Sequence, residues 1–165
     1  MNKFNIIALF CQDIREEKDD LLTLVGILPD NVGITRIAAD APTDGAAPIT
    51  RGKLNRSLSK LCIYLRVNFD LDYQLPEVKM QLVFGDGTVH AAGSILPDVI
   101  EAAIAQAKEK GNPVTGVVAR LELGGFAPPP GVMKFEVVLG DETHLAGALN
   151  FIETATSPND AQQPS

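Results

Sequence analysis

Tryptophan is missing from this chain, and histidine and cysteine occur twice each. His90 and His144 are therefore the only side chains that titrate near neutral pH without a shifted pKa, which leaves acid–base catalysis little to draw on. Both sit beside small residues in segments that read as strands, and the expectation is two satisfied or exposed sheet histidines. Cys11 and Cys62 are too few for a disulfide framework. Each falls inside an expected strand, where a thiol acts as a small buried hydrophobe with little reactivity. A single bridge between facing sheets stays open.

Long apolar runs are lacking too. The stretch Phe4 to Phe10 follows Lys3 and leads into Cys11, in the manner of a lipoprotein signal. It is too short, Asn5 interrupts it, and bulky Phe10 stands where a small residue would precede cleavage. No stretch reaches the length needed to cross a membrane, so a cytoplasmic protein without a transmembrane segment is expected.

Catalytic signatures are equally scarce. No serine sits in a Gly-x-Ser-x-Gly elbow, and Ser94 in Ala-Gly-Ser-Ile lacks the second glycine. Gly85-Asp86-Gly87 and Gly111-Asn112-Pro113 lack the spacing that aims backbone amides at a phosphate, and both read as turns. The expectation is no enzyme: no catalytic residues, no cofactor and no metal site. A formal net charge of −7 sets the whole-protein field against phosphate backbones, so nucleic acid is not the expected partner class.

What the chain does have is alternation. Leu61, Ile63, Leu65, Val67, Phe69 and Leu71 fall on one face, with Cys62, Tyr64, Arg66, Asn68, Asp70 and Asp72 on the other, a period of two that marks a half-buried strand. Lys3 to Cys11 is apolar on both faces and suits a central or covered strand. Leu21 to Leu28 is expected to follow a charged turn, Asp13 to Asp20, with a short edge strand at Ile34 to Ile37. Val78 to Phe84 pairs with Thr88 to Ile95 across Gly85-Asp86-Gly87. Gly116 to Leu123, Val132 to Leu139 and His144 to Ile152 complete the strands.

One helix is expected over Pro97 to Lys110, with an apolar stripe through Val99, Ile100, Ala103, Ile104 and Ala107, and Gly111 as its stop. The fold class is thus mainly all-β: an antiparallel immunoglobulin-like or C2-like sandwich of about seven to nine strands with one appended helix. Residues 1–153 form the domain, and the polar stretch 154–165 reads as a disordered tail.

Charge is unevenly spread. Gly45 to Phe69 contains no acid, yet Arg51, Lys53, Arg56, Lys60 and Arg66 all lie within it, following the Ala, Pro and Gly-rich loop Ala38 to Thr50. Such a patch suits an anionic ligand or an acidic protein surface, and equally suits guarding a strand edge. Acids gather at Asp13, Glu16, Glu17, Asp19 and Asp20, and again at Asp70, Asp72 and Glu77. Calcium would need these groups to converge, whereas interleaved Arg15 and Lys18 favour a solvated turn.

Phe10-Cys11-Gln12-Asp13-Ile14-Arg15-Glu16-Glu17, followed by Leu22-Thr23-Leu24-Val25-Gly26-Ile27, resembles the opening of a family of small bacterial β-sandwich proteins. That family begins with Phe-Cys-Asp-Asp-Ile-Arg and a Leu-Ile-Gly strand; Gln12 replaces an acid. The resemblance covers the first fifth of the chain and implies a bacterial sandwich with no particular activity. Phe126 to Phe151, with Pro128-Pro129-Pro130-Gly131 leading into a strand, is similar to the last strands of immunoglobulin-like sandwiches. The functional expectation is a non-enzymatic protein-interaction or ligand-binding module. A subunit of a phage, secretion or sheath-like assembly and a calcium or membrane-surface module are the alternatives.

Overall fold

The computed structural model describes residues 3–18, 21–37, 51–54, 60–125 and 128–153, with 35–37 and 51–54 described by backbone alone. Among these residues ten strands and one helix are found: β1 (Phe4–Glu16), β2 (Leu22–Ile27), β3 (Asn31–Ile37), β4 (Arg51–Leu54), β5 (Lys60–Asp70), β6 (Val78–Phe84), β7 (Val89–Ile95), α1 (Pro97–Glu109), β8 (Val114–Gly124), β9 (Gly131–Leu139) and β10 (Glu142–Glu153). They form two sheets, one of order β2-β1-β5-β8 and one of order β4-β3-β10-β9-β6-β7. The molecule is a mainly β sandwich with one helix.

The alternation of β5 sets the core. Leu61, Ile63, Leu65 and Val67 are fully buried and face Val78, Met133, Phe135 and Val137 from the opposite sheet. Phe10 meets Phe135 edge-on, with ring centroids 6.4 Å apart, so an aromatic pair joins β1 to β9 across the two layers.

β7 ends the six-stranded sheet and β8 ends the four-stranded one, so α1, which connects them, spans one side of the sandwich. Ile100 and Ala107 are buried beneath it, and the Thr115 hydroxyl donates to the Ala103 carbonyl. Pro97 opens the helix, where its missing N–H costs nothing. Gly111, at φ +67°, closes it: the Gly111 and Asn112 amides donate back to the Lys108 and Ala107 carbonyls, a Schellman arrangement that only a residue at ease with positive φ completes well.

Several expectations change. The antiparallel reading fails at one ladder, since β10 runs parallel to β3. β3 is not an edge: β10 flanks it on one side and β4 on the other, and it begins at Asn31, three residues before the strand expected from Ile34. β4 was hidden inside the basic stretch, and with it the strands number ten rather than nine at most. The charged turn expected from Asp13 continues as strand to Glu16, because β2 supplies a backbone partner for each of Asp13, Ile14, Arg15 and Glu16. Residues 38–50 and 154–165, with the loop and tail expected there, lie outside the described residues. No described helix is long and apolar enough to cross a membrane.

Candidate functional site

The outward face of the four-stranded sheet follows from strand register. Ile7 opposes Arg66, which opposes Val118; Leu9 opposes Tyr64, which opposes Arg120; Cys11 opposes Cys62, which opposes Glu122. β1 is central, as its two apolar faces suggested, and its outer face runs from exposed Ile7 to fully buried Cys11. Ile7 remains 39% exposed and Val118 41%.

Beyond Cys11, β1 leaves β5 and leans across the outer face. Three contacts show this. Cys62, although outward-facing, is only 1% exposed and its thiol donates to the Gln12 carbonyl at 3.7 Å. Lys60 Nζ lies 2.8 Å from Asp13 Oδ1 and 3.1 Å from Glu122 Oε1. Arg120 Nη1 reaches Glu16 Oε1 at 2.6 Å, with β5 standing between their two strands. The Asp13 carboxylate, held by Lys60 and also by Arg15 at 3.0 Å, is pulled down to about 2. Those two carboxylates in turn raise the Lys60 ammonium above its ordinary value.

The expected basic patch is therefore divided. Lys60 is half-buried with its charge answered by two acids, which leaves little for an external anion. Arg51 and Lys53 lie on β4, the edge of the other sheet, opposite Ile37 and Thr35. Arg56 lies outside the described residues. Arg66 is exposed and has no carboxylate partner among the described residues; its Nε donates to Asn68 Oδ1 at 2.7 Å. Gly116 supports that hydrogen bond, since a Cβ there would stand 2.7 Å from Asn68 Oδ1 and 3.4 Å from Arg66 Nε. In register Ile7 and Val118 flank Arg66 across the sheet, and the hydrogen bond draws its Nε toward Asn68, which Asn5 opposes on β1.

The neighbours of Arg66 escaped sequence reading. Ile7 and Leu9 looked like covered strand residues, and Val118 and Gly116 like ordinary members of a late strand. Their alternation placed them on a face without saying which strand would lie alongside.

The histidines separate the ingredients of acid–base chemistry. His90 lines a cavity of about 370 Å³ with Leu82, Phe84, Ala91, Ala92, Leu123 and Pro129, which bring no carboxylate. His144 has a carboxylate, with Nε2 3.4 Å from Glu142 Oε2 but off hydrogen-bond geometry, and it packs edge-on against Phe4 rather than lining that cavity. Among the described residues no three metal-ligating side chains converge; Asp13 is committed to Lys60 and Arg15, and Asp19 and Asp20 lie outside.

No protein-family model matches the chain, and no curated protein matches its sequence.

Proposed function

We propose that this chain is a non-enzymatic protein-interaction module whose contact face is the outer surface of the four-stranded sheet. The observation that carries the reading is Arg66, an exposed cation without a carboxylate partner among the described residues, hydrogen-bonded through Nε to Asn68 and flanked in register by Ile7 and Val118. Arginine and tyrosine beside apolar side chains are the chemistry of binding hot spots, because a guanidinium already held by one hydrogen bond loses less entropy on pairing with a carboxylate. The partner that fits is a protein surface presenting a carboxylate above an apolar rim. In this acidic chain a local cation selects such a surface at short range, within about one Debye length of ~8 Å.

The test compares proteins captured by the tagged full chain with those captured by Arg66→Glu. Arg66 is exposed and outside the core, so the variant is expected to keep its melting temperature while a specific partner falls at least tenfold, roughly the loss of one charge-assisted contact. Identical capture by both chains overturns the reading.

A second reading rests on the other sheet. Its outer face exposes Val89, Val132, Leu145 and Ile152, at 54%, 43%, 62% and 46%, which favours self-association into an oligomeric assembly. Light scattering across concentration tests it: a strict monomer up to high micromolar concentration removes it.

A further inference from the structure

Cys11 and Cys62 stand directly opposite each other on β1 and β5, and both are free. Opposed Cα atoms in an antiparallel ladder lie about 4.5–5.5 Å apart, inside the range of about 4.4–6.8 Å that a disulfide spans. Register alone thus puts the two Cα atoms within the span of a disulfide, so a bridge asks for side-chain rotation rather than a backbone rearrangement. A bridge between facing sheets, which the sequence left open, is replaced by a bridge within one sheet.

Their position in the ladder adds meaning. Cys11 and Cys62 are the final matched pair between β1 and β5; past it β1 pairs with β2 and leans over the sheet. Cys62 also lines a cavity of about 240 Å³ together with Ile14, Arg120, Leu121 and Glu122, whereas Cys11 is fully buried. A small oxidant entering that cavity meets Cys62 first, and Cys11 is the only thiol then placed to respond.

We propose that Cys11 and Cys62 form a reversible cross-strand redox pair, oxidised by a small peroxide that enters beside Cys62. The Cys62 thiolate attacks one oxygen of hydrogen peroxide; the O–O bond breaks, hydroxide leaves, and Cys62 becomes a sulfenic acid. The Cys11 thiolate then attacks the Cys62 sulfur; the S–O bond breaks, the S–S bond forms, hydroxide departs, and the protons released when the two thiols ionised turn both hydroxides into water. Two thiols and one peroxide become one disulfide and two waters. Reduction by an ordinary dithiol returns the starting state.

Burial makes the first step slow at neutral pH. Desolvation, and next the neighbouring Cys62, push the Cys11 thiol up to about 11; desolvation also raises Cys62, opposed by Lys60 and reinforced by Glu122 and Asp13. Arg120, the remaining charge on the cavity wall, is engaged by Glu16. The pair is thus a slow site that answers sustained oxidation rather than a fast peroxide scavenger. Once formed, the bridge locks the point where β1 departs from β5 and is expected to raise the melting temperature by about 5–10 °C.

The experiment treats the folded full chain with hydrogen peroxide, blocks remaining thiols, and maps peptides by mass spectrometry without reduction. A peptide joining Cys11 to Cys62, two hydrogens lighter than the free pair and released by dithiothreitol, is expected. Over-oxidised Cys62 without a bridge, disulfides only between chains, or two thiols still free after prolonged exposure would each overturn the proposal. Because the mapping uses the unaltered chain, it does not depend on whether Cys11→Ser or Cys62→Ser folds.

Discussion

Gly116 is the space into which Asn68 fits: a Cβ on residue 116 would stand 2.7 Å from the Asn68 side-chain oxygen and 3.2 Å from the Val67 carbonyl. The first of these is closer than a carbon and an oxygen tolerate, and the second is backbone that cannot easily give way. Gly116→Ala is therefore expected to destabilise the fold by about 1–3 kcal/mol, the range for overpacking a tight site. It also pushes Asn68 away from Arg66 and frees the guanidinium. Urea denaturation reads the first effect. If Gly116→Ala is as stable as the natural chain, the close approach is wrong.

Phe135 is fully buried and bridges the layers through its edge contact with Phe10. Phe135→Ala removes the ring from the middle of the sandwich and leaves a cavity that two sheets cannot collapse around. The expected loss is about 3–5 kcal/mol by chemical denaturation. A loss under about 1 kcal/mol would mean that the layers are joined elsewhere.

Asp13 gives the acid limb of stability a specific origin. Lys60 first, and then Arg15, hold its folded pKa at about 2 against an ordinary 3.8. A lowered folded pKa stabilises the native state above the ordinary value, and that contribution disappears as pH falls from about 4 toward 2. Asp13→Asn should therefore be less stable than the natural chain at pH 6 and converge with it near pH 2. Parallel curves across that interval, measured by urea denaturation at each pH, would remove Asp13 from the account.

For the cysteine pair, the thiolate is the attacking species and both thiols are raised above their ordinary value. The rate of peroxide-driven bridging should then climb about tenfold per pH unit between pH 7 and 9, while the fold stays intact. A flat profile would assign the slow step to opening of the β1 segment rather than to ionisation.

The legibility of this protein divides along the difference between local and long-range order. Alternation exposes the inner face of β5, the hairpin of β6 and β7, and the helix from Pro97, because period, turn residues and caps act over a few positions. Strand neighbours are another matter. β3 read as a short edge strand at Ile34 to Ile37, and only its docking against β10 and β4 extends it back to Asn31 and makes it internal. The basic stretch likewise appeared as one patch in the chain. Register then placed Lys60 between Asp13 and Glu122, sent Arg51 and Lys53 to an edge of the opposite sheet, and left Arg66 between Ile7 and Val118 on an outer face of mixed character.

By itself, then, the sequence determined that this chain buries one side of many short strands in a single sandwich, since hydrophobic periodicity alone decides which side chains leave water. Only the tertiary structure decided which charges of the basic stretch are answered by acids, and that Cys11 faces Cys62. Those outcomes depend on pairing between residues about 50 or more positions apart, whose register is set by packing the whole core rather than by any local pattern.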